Sequence, residues 1–480
     1  MQSNRLTSFK LAWPQSQRQS WTQLLSIYTA GAHIHGFYQL FWPTMRQRMR
    51  ILWALALMSA CYVLIYVSYL LAERFQRRTI HTIVSNSHWP ISSIAFPVVI
   101  VCNKNRLNWS RVPLIKQRYN ISDKQSPLFE RVLSAYDALQ FQHFQVFAEL
   151  AAEPLLHTLN HLNFTQIVTE LAWRCDELLA DCSWHTQSVD CCEVFRPRRV
   201  LLGACLEFNE LEQRASIEVG KGKGLRARLM LNAALHAPAN ALPKGFVLNI
   251  LEPTVWFNFP IELLPHTNVD IGITAVYHYY DENTYVLNSK QRECLHENEQ
   301  FKTLQNFNYM LENCQAECQQ LYMLRYCNCS LDLFYPPSNH KPCQLADLPC
   351  LAANNQHLQN YAEPGEEAFV VQRETEKGMH CDCQLNCKSL TLLTDIYEHV
   401  QPIGVQQQNG SIMMDVYYKR KDILVYKTSL VYSWLDLIVS FGGICQLCLG
   451  CSIISLIELC YFTLVDVPFF CWTRFALQQR

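Results

Sequence analysis

The chain has 480 residues, half of them from the set AVILMFWYC and only 17% charged, against about 25% charged in an ordinary soluble domain. With 40 Lys and Arg against 41 Asp and Glu, the formal net charge is −1. That excludes a nucleic-acid binder working by bulk charge and a disordered polyelectrolyte. Length alone suggests roughly two to four domains, and 22 cysteines point to an oxidising compartment.

Residues 1–50 carry Arg5, Lys10, Arg18, Arg46, Arg48 and Arg50 and no acidic residue. A charge-free run follows at 51–72, ILWALALMSACYVLIYVSYLLA. Crossing the hydrocarbon core takes about 20 such residues, so this is a first span. The basic flank places the N-terminus in the cytoplasm. Arg74, Arg77 and Arg78 compete from the other side, with Glu73 beside them. The run begins late and has no small-residue cleavage site, which argues against a signal peptide.

Beyond the span lies FPVVIVCN (96–103), then a segment from about 127 to 162 that reads as helical. GACLEFN (203–209) follows. VGKGKGLRARL (219–229) looks phosphate-binding but lacks the GxxxxGK[ST] spacing, so a P-loop is rejected. GLRARLMLN and, from Gly245, GFVLNI alternate as strands do. Five N-x-S/T sequons occur, at Asn108, Asn120, Asn163, Asn328 and Asn409. Such acceptors matter only outside the cell or in the lumen.

Sixteen cysteines occupy this middle region, an even number, as full pairing requires. Ten fall between 294 and 387. Cys314 and Cys318 are one helical turn apart and share a face. In CDCQLNC, Cys381, Cys383 and Cys387 would share one side of an extended strand. A helix stapled to a strand is the simple picture. Zinc is set aside, because outside the cell these thiols would oxidise and no matching histidines accompany them. Cys175, Cys182, Cys191 and Cys192 form a second group with three possible connectivities. Cys102 and Cys205 stand further apart. VYYKR (416–420) reads as a last strand before the second apolar run.

That run, 437–457, is LIVSFGGICQLCLGCSIISLI, bracketed by Asp436 and Glu458. It returns the C-terminus to the cytoplasm. It is not built as a lipid-facing anchor: Ser440, Gly442, Gly443, Gln446, Gly450, Ser452 and Ser455 favour close packing and partners away from lipid. An acidic residue at the centre of a membrane helix costs roughly 2.5–3.5 kcal/mol, so Glu458 should turn toward a water-filled path. Asp436 is the matching candidate at the outer mouth. Cys445, Cys448 and Cys451 run along one helical stripe, read as small packing residues, with a redox- or heavy-metal-sensitive stripe as the alternative.

In order along almost the whole chain, these segments resemble the degenerin/epithelial sodium channel superfamily. His35-Gly36 resembles its His-Gly dipeptide, FPVVIVCN its FPAVTxCN, GACLEFN its GxCYTFN, and Gly450-Cys451-Ser452 its Gly-x-Ser filter. The pair Cys191-Cys192 and YSWLDL (432–437) look most like the pickpocket branch. The resemblance implies a membrane α+β fold, a trimer whose subunits each have two transmembrane helices flanking a large disulfide-rich β-containing ectodomain with helical finger and thumb. The division is a cytoplasmic 1–50, a span at 51–72, an ectodomain at 73–432 with its thumb at 294–387, a pore span at 433–464 and a cytoplasmic 465–480.

The resemblance also implies pairings: Cys102 with Cys205, Cys294 with Cys387, Cys314 with Cys383, Cys318 with Cys381, Cys327 with Cys350 and Cys329 with Cys343. Cys182 with Cys191 and Cys175 with Cys192 is the pairing expected for the second group. It implies a filter at Gly450, Cys451 and Ser452, a degenerin and gate region at Val439, Ser440, Gly442 and Gly443, and gating roles for His35 and Gly36. Cys451 departs from the usual alanine or serine, which puts cation selectivity in question. The function implied is an amiloride-sensitive sodium channel subunit of the plasma membrane, with both termini inside, gated by an extracellular stimulus. Sodium is the permeant ion and no cofactor is called for. Partners would be related subunits in a homo- or heterotrimer, membrane lipid and an extracellular ligand. A non-conducting modulatory subunit is the main alternative. An ATP-gated channel and a two-span lipid or adhesion receptor fit these residues less well.

Overall fold

A computed structural model describes residues 21–478, apart from 32–33, 43, 78, 239–243, 254, 257–259, 305–306, 362–377 and 401–409. The chain divides into two units, Thr82–Ser429 and the two ends, Met1–His81 with Leu430–Arg480.

The strands, in chain order, are β1 (Ile80–Pro90), β2 (Val98–Asn103), β3 (Leu179–Trp184), β4 (Gln187–Ser188), β5 (Phe195–Val200), β6 (Gly203–Phe208), β7 (Leu225–Leu229), β8 (Phe246–Leu251), β9 (Ile261–Leu263), β10 (Thr267–Tyr280), β11 (Cys294–Leu295), β12 (Leu385–Asn386), β13 (Lys388–Val400), β14 (Ile412–Tyr418) and β15 (Asp422–Leu430). One sheet runs β1-β15-β10-β14-β7-β3-β4, with β13 also on β10; a second runs β5-β6-β2-β8-β9. Along one edge of β10, residues 268–273 pair with β14 and residues 276–280 with β15, both parallel. The other edge pairs antiparallel with β13.

Alternation explains the packing. Val269, Ile271, Ile273 and Ala275 point to one face of β10, as a period of two dictates. They meet Phe246, Leu248 and Ile250 of the second sheet in one core. β8 is buried at every position because its other face, with Val247 and Leu251, closes a smaller core. A strand covered on both sides reads as a continuous apolar run. GFVLNI is therefore a strand, as its alternation suggested, and lies inside the second sheet, between β2 and β9. VYYKR is likewise not the last strand: it ends β14, and β15 intervenes before the second span.

A separate core joins the helical parts. Phe129, Val132, Leu133 and Tyr136 of the helix Ser126–Ala138 pack with Phe164, Ile167 and Val168 of Phe164–Leu171, and with Met323, Leu348 and Leu351. The expected helical segment at 127–162 is regular only as far as Ala138. Leu139 turns extended, Gln142 takes positive φ, and three short 3₁₀ turns carry the rest.

Eight disulfides join Cys102–Cys205, Cys175–Cys192, Cys182–Cys191, Cys294–Cys387, Cys314–Cys383, Cys318–Cys381, Cys327–Cys350 and Cys329–Cys343. Cys314 and Cys318 do share one face of the helix Leu311–Cys327. The segment opposite is not the strand the spacing suggested, since only Leu385–Asn386 pairs, with β11. Of the sequons, Asn120, Asn163 and Asn328 are exposed and Asn409 lies outside the described residues. Asn108 is a correction. It is 1% exposed, its amide donates to Glu177 at 3.2 Å and its oxygen accepts from the Ser110 backbone. No glycan fits on it in this fold.

Candidate ion pathway

The membrane unit is built around two long apolar elements. The first span is a continuous helix, Gln47–Gln76. The second is broken. Its outer half, Trp434–Leu449, ends on Gly450 in the left-handed region (φ 66°), whose N–H bonds the Gln446 carbonyl at 2.9 Å. A new helix, Ile453–Tyr461, then starts. Ser452 caps it: its hydroxyl accepts from the Ser455 N–H at 3.3 Å, and the Ser455 hydroxyl accepts from the Ser452 N–H at 3.2 Å. The break lies at Gly450-Cys451-Ser452 because glycine tolerates positive φ and serine is a strong N-cap. The helix continues past residue 464 through one π-turn, Phe462–Asp466, and Val467–Gln478.

A helix end leaves carbonyls without intrahelical donors. One of them, on Leu449, accepts the backbone N–H of His35 at 2.9 Å. A Cβ built on Gly450 would collide with the His35 ring. Gly36 also takes positive φ (79°) and opens the short helix Phe37–Phe41. A Cβ there would meet Trp53 and Leu57 of the first span at 3.4 Å. The His-Gly dipeptide and the Gly450-Cys451-Ser452 triplet are thus one structural site.

Aromatic rings brace the inner end. Tyr28 stacks on Phe462 with centroids 4.2 Å apart, and Trp21 meets Phe470 edge-on at 4.8 Å. Leu24 is buried with Phe462 and Phe470. Glu458 is half-buried on the inner helix, within electrostatic reach of Tyr28. This clasp was not read from the sequence. The alternation of Trp21, Leu24 and Tyr28 at helical spacing was the available signal.

At the outer end, Asp436 is exposed and engaged in a capping box. Its carboxylate accepts from the Ser433 N–H at 3.0 Å and hydroxyl at 2.6 Å, and the Ser433 hydroxyl accepts from the Asp436 N–H at 3.2 Å. The Val431 N–H donates to the Thr79 carbonyl at 3.0 Å, and Arg74 lies over the Tyr432 ring at 5.5 Å. Val439 is 66% exposed in the single chain, Ser440 is half-buried, and nothing stands within 4 Å of a Cβ on Gly442 or Gly443. Val439 and the two glycines thus leave open space along the helix in the single chain. Cys445, Cys448 and Cys451 carry free thiols, and Cys451 has Cys445 and, from the first span, Cys61 within electrostatic reach. Among the described residues no group of three or more His, Cys, Asp or Glu could hold a metal ion.

The model of the amiloride-sensitive sodium channel family matches residues 28–462. The chain is 28% identical to pickpocket protein 19 of Drosophila melanogaster over 458 residues, covering 90% of this chain and 88% of that one. It is 24% identical to the sodium channel protein Nach of Drosophila ananassae, over 79% and 74% of the two chains. It is 20% identical to acid-sensing ion channel 1 of Gallus gallus, over 91% and 82%. With a match over nearly the whole chain, and with the broken second span where the family motif falls, this protein belongs to the amiloride-sensitive sodium channel family of the degenerin/epithelial sodium channel superfamily, a family of ion channels.

Proposed function

We propose that the chain is one pore-forming subunit of a trimeric plasma-membrane channel that passes sodium, is blocked by amiloride and opens to an extracellular stimulus. Family membership supports a sodium or cation channel subunit that assembles as a homo- or heterotrimer with its relatives. The observation that carries the reading is the break at Gly450–Ser452. A membrane-spanning anchor has no reason to interrupt its own hydrogen bonding, since irregular backbone at membrane depth is tolerated only against protein or a water-filled path.

In this reading Gly450, Cys451 and Ser452 from three subunits ring the narrow point. Their carbonyls and hydroxyls replace part of the hydration shell of sodium. Glu458 forms an anionic ring on the inner side and draws cations. Asp436 contributes negative charge at the outer mouth while capping its own helix. Val439, Ser440, Gly442 and Gly443 are the surface on which the three outer helices close. His35 and Gly36 set the shape of the inner entrance by bracing the break. Both termini lie in the cytoplasm, and the sodium ion is cargo rather than cofactor.

Whole-cell recording of this chain expressed alone tests the reading, with Val439→Phe beside the unsubstituted chain. A bulky ring at that position should prop the outer helices apart and give a sodium current that amiloride blocks. Silence from both forms, despite confirmed surface delivery, followed by current on co-expression with a relative, would make the chain a modulatory or obligate heteromeric subunit instead.

A further inference from the structure

Where the first turn of the helix Leu311–Cys327 meets the first sheet, the ectodomain holds a cavity of about 450 Å³. Sites for small molecules commonly measure about 300–1,000 Å³. Two carboxyl groups line it: Glu252, just after β8, and Glu312, in that first turn. Met310, Leu390 and Leu392 supply apolar wall, and Tyr280 a polar tip.

Acidic groups predominate in this cavity. Among its described lining residues there is no Lys or Arg, and the one base, His278, has its ring stacked on Tyr426 at 4.8 Å. Lys388, the cation whose field reaches Glu252, is engaged elsewhere, with its ammonium 3.0 Å from Glu297. Burial pushes the Glu252 carboxyl up to about 7, and the negative charge of Glu312 adds to the effect, while an N–H from Leu390 opposes it. Burial also raises Glu312. Two acids confined with no lysine or arginine beside them favour an arriving cation, and a desolvated ammonium–carboxylate contact is among the stronger polar interactions. A bare inorganic cation would gain nothing from the leucine and methionine walls, whereas an organic one buries its hydrocarbon against them.

We propose that this cavity binds a small organic monocation, an alkyl- or arylalkylamine, with its ammonium held by Glu252 and Glu312 and its hydrocarbon against Met310, Leu390 and Leu392. The same cavity is lined by Thr428 of β15, the last strand before the second span. That such an amine is the channel's chemical stimulus rests on the channel reading above; that it binds does not.

The test is calorimetric titration of the full-length chain in detergent at neutral pH. The probe is phenethylamine, with phenethyl alcohol as its uncharged counterpart and calcium chloride as the inorganic cation. The amine should bind saturably at one ectodomain site, at least about tenfold tighter than the alcohol, a difference of about 1.4 kcal/mol. Glu252→Gln and Glu312→Gln should each weaken it by a similar factor while leaving the unfolding midpoint without ligand no lower. The proposal is overturned by no saturable binding, by equal binding of the alcohol, or by displacement of the amine by calcium at comparable concentration. Amine binding unchanged in both variants would place the amine elsewhere, in the pore for instance, and also overturn it. The readout needs no current, so a silent channel with intact amine binding would fail the channel reading alone, and a sodium current without amine binding would fail the cavity alone.

Discussion

The His35 ring lies against the Cα of Gly450, so that a single added methyl at residue 450 would collide with it. The contact joins a residue near the start of the chain to the break in the second span, and a backbone hydrogen bond from His35 to Leu449 fixes it. Gly450→Ala therefore carries two costs: the collision, and the left-handed backbone, worth about 1–2 kcal/mol for a residue with a Cβ. The sodium current should fall about tenfold or more at unchanged surface density. The His35→Ala, Gly450→Ala double variant should be no worse than the poorer single, because without the imidazole ring the added methyl meets no collision. Additive losses in that cycle would mean that the two residues act independently.

Ser452 has two tasks, capping the inner helix and lining the narrow point in the proposed pore. Losing a serine N-cap costs about 0.5–2 kcal/mol. Ser452→Ala should lower the unfolding midpoint slightly and shift the reversal potential measured between sodium and potassium solutions. Ser455→Ala, which breaks the reciprocal half of the same cap, should lower the midpoint without moving the reversal potential. Equal effects on selectivity from both would assign Ser452 a purely structural role.

Parts of this architecture are legible in sequence and parts are not, for identifiable reasons. The run at 51–72 declares a span because charge is absent over the full thickness of a bilayer. The Gly450-Cys451-Ser452 triplet is visible as residues, but its contact with His35 is not, since nothing local couples the two ends of the chain. Alternation reveals that 245–250 is a strand, yet period two says nothing of which sheet receives it. Only the burial of β8 on both faces shows that it lies inside the second sheet. The burial of Asn108 is equally invisible, because a sequon does not show that its amide is already used by Glu177.

Arg106 shows how far a buried charge can organise the ectodomain. Its guanidinium donates to the carbonyls of Tyr136 at 2.5 Å, Leu139 at 2.6 Å and Leu202 at 3.1 Å. Burial lowers it to about 10, with Asp137 opposing, so it stays charged at neutral pH. Gly203 leaves the room: a Cβ there would stand 2.6 Å from Nε, which accounts for the glycine in GACLEFN. Arg106→Met orphans three carbonyls and should cost on the order of 3–5 kcal/mol, read as retention inside the cell and loss of surface labelling. Gly203→Ala should lie in the same direction with a smaller effect. Normal surface delivery of the methionine variant would show that the three bonds are dispensable.

The glycine-rich loop at 219–224 is a clamp on the sheet rather than a phosphate site. Lys221 pairs with Asp270 at 2.5 Å and the Gly222 N–H donates to Asp415 at 2.7 Å, and these aspartates sit opposite each other on β10 and β14. At Gly224 a Cβ would strike the Val416 carbonyl, which is backbone and cannot rotate away. Gly224→Ala should lower the unfolding midpoint by the equivalent of about 2–4 kcal/mol, the range of severe single substitutions. Lys221→Met should cost less than about 1 kcal/mol, because its ammonium end is largely in water. The reverse ranking would mean that the ion pair, not the close approach of backbones, holds the loop.

Glu252 makes stability depend on pH in a direction that can be worked out. Its folded value, about 7, lies above the ordinary 4.5. Between those values the folded chain keeps a proton that the unfolded chain releases, so stability falls as pH rises through that window and levels off above it. Each pH unit of displacement is worth about 1.4 kcal/mol. Glutamine keeps an oxygen for the Leu390 N–H and carries no charge to desolvate. Glu252→Gln should therefore unfold at a higher temperature than the unsubstituted chain at pH above about 7, by roughly 1–3 kcal/mol, and the advantage should shrink toward zero below about pH 4.5. Thermal unfolding of the full-length chain across that range checks it. An advantage that persists at acid pH would locate the gain in packing, and a variant less stable at neutral pH would mean that the carboxylate makes a favourable contact stronger than its burial cost.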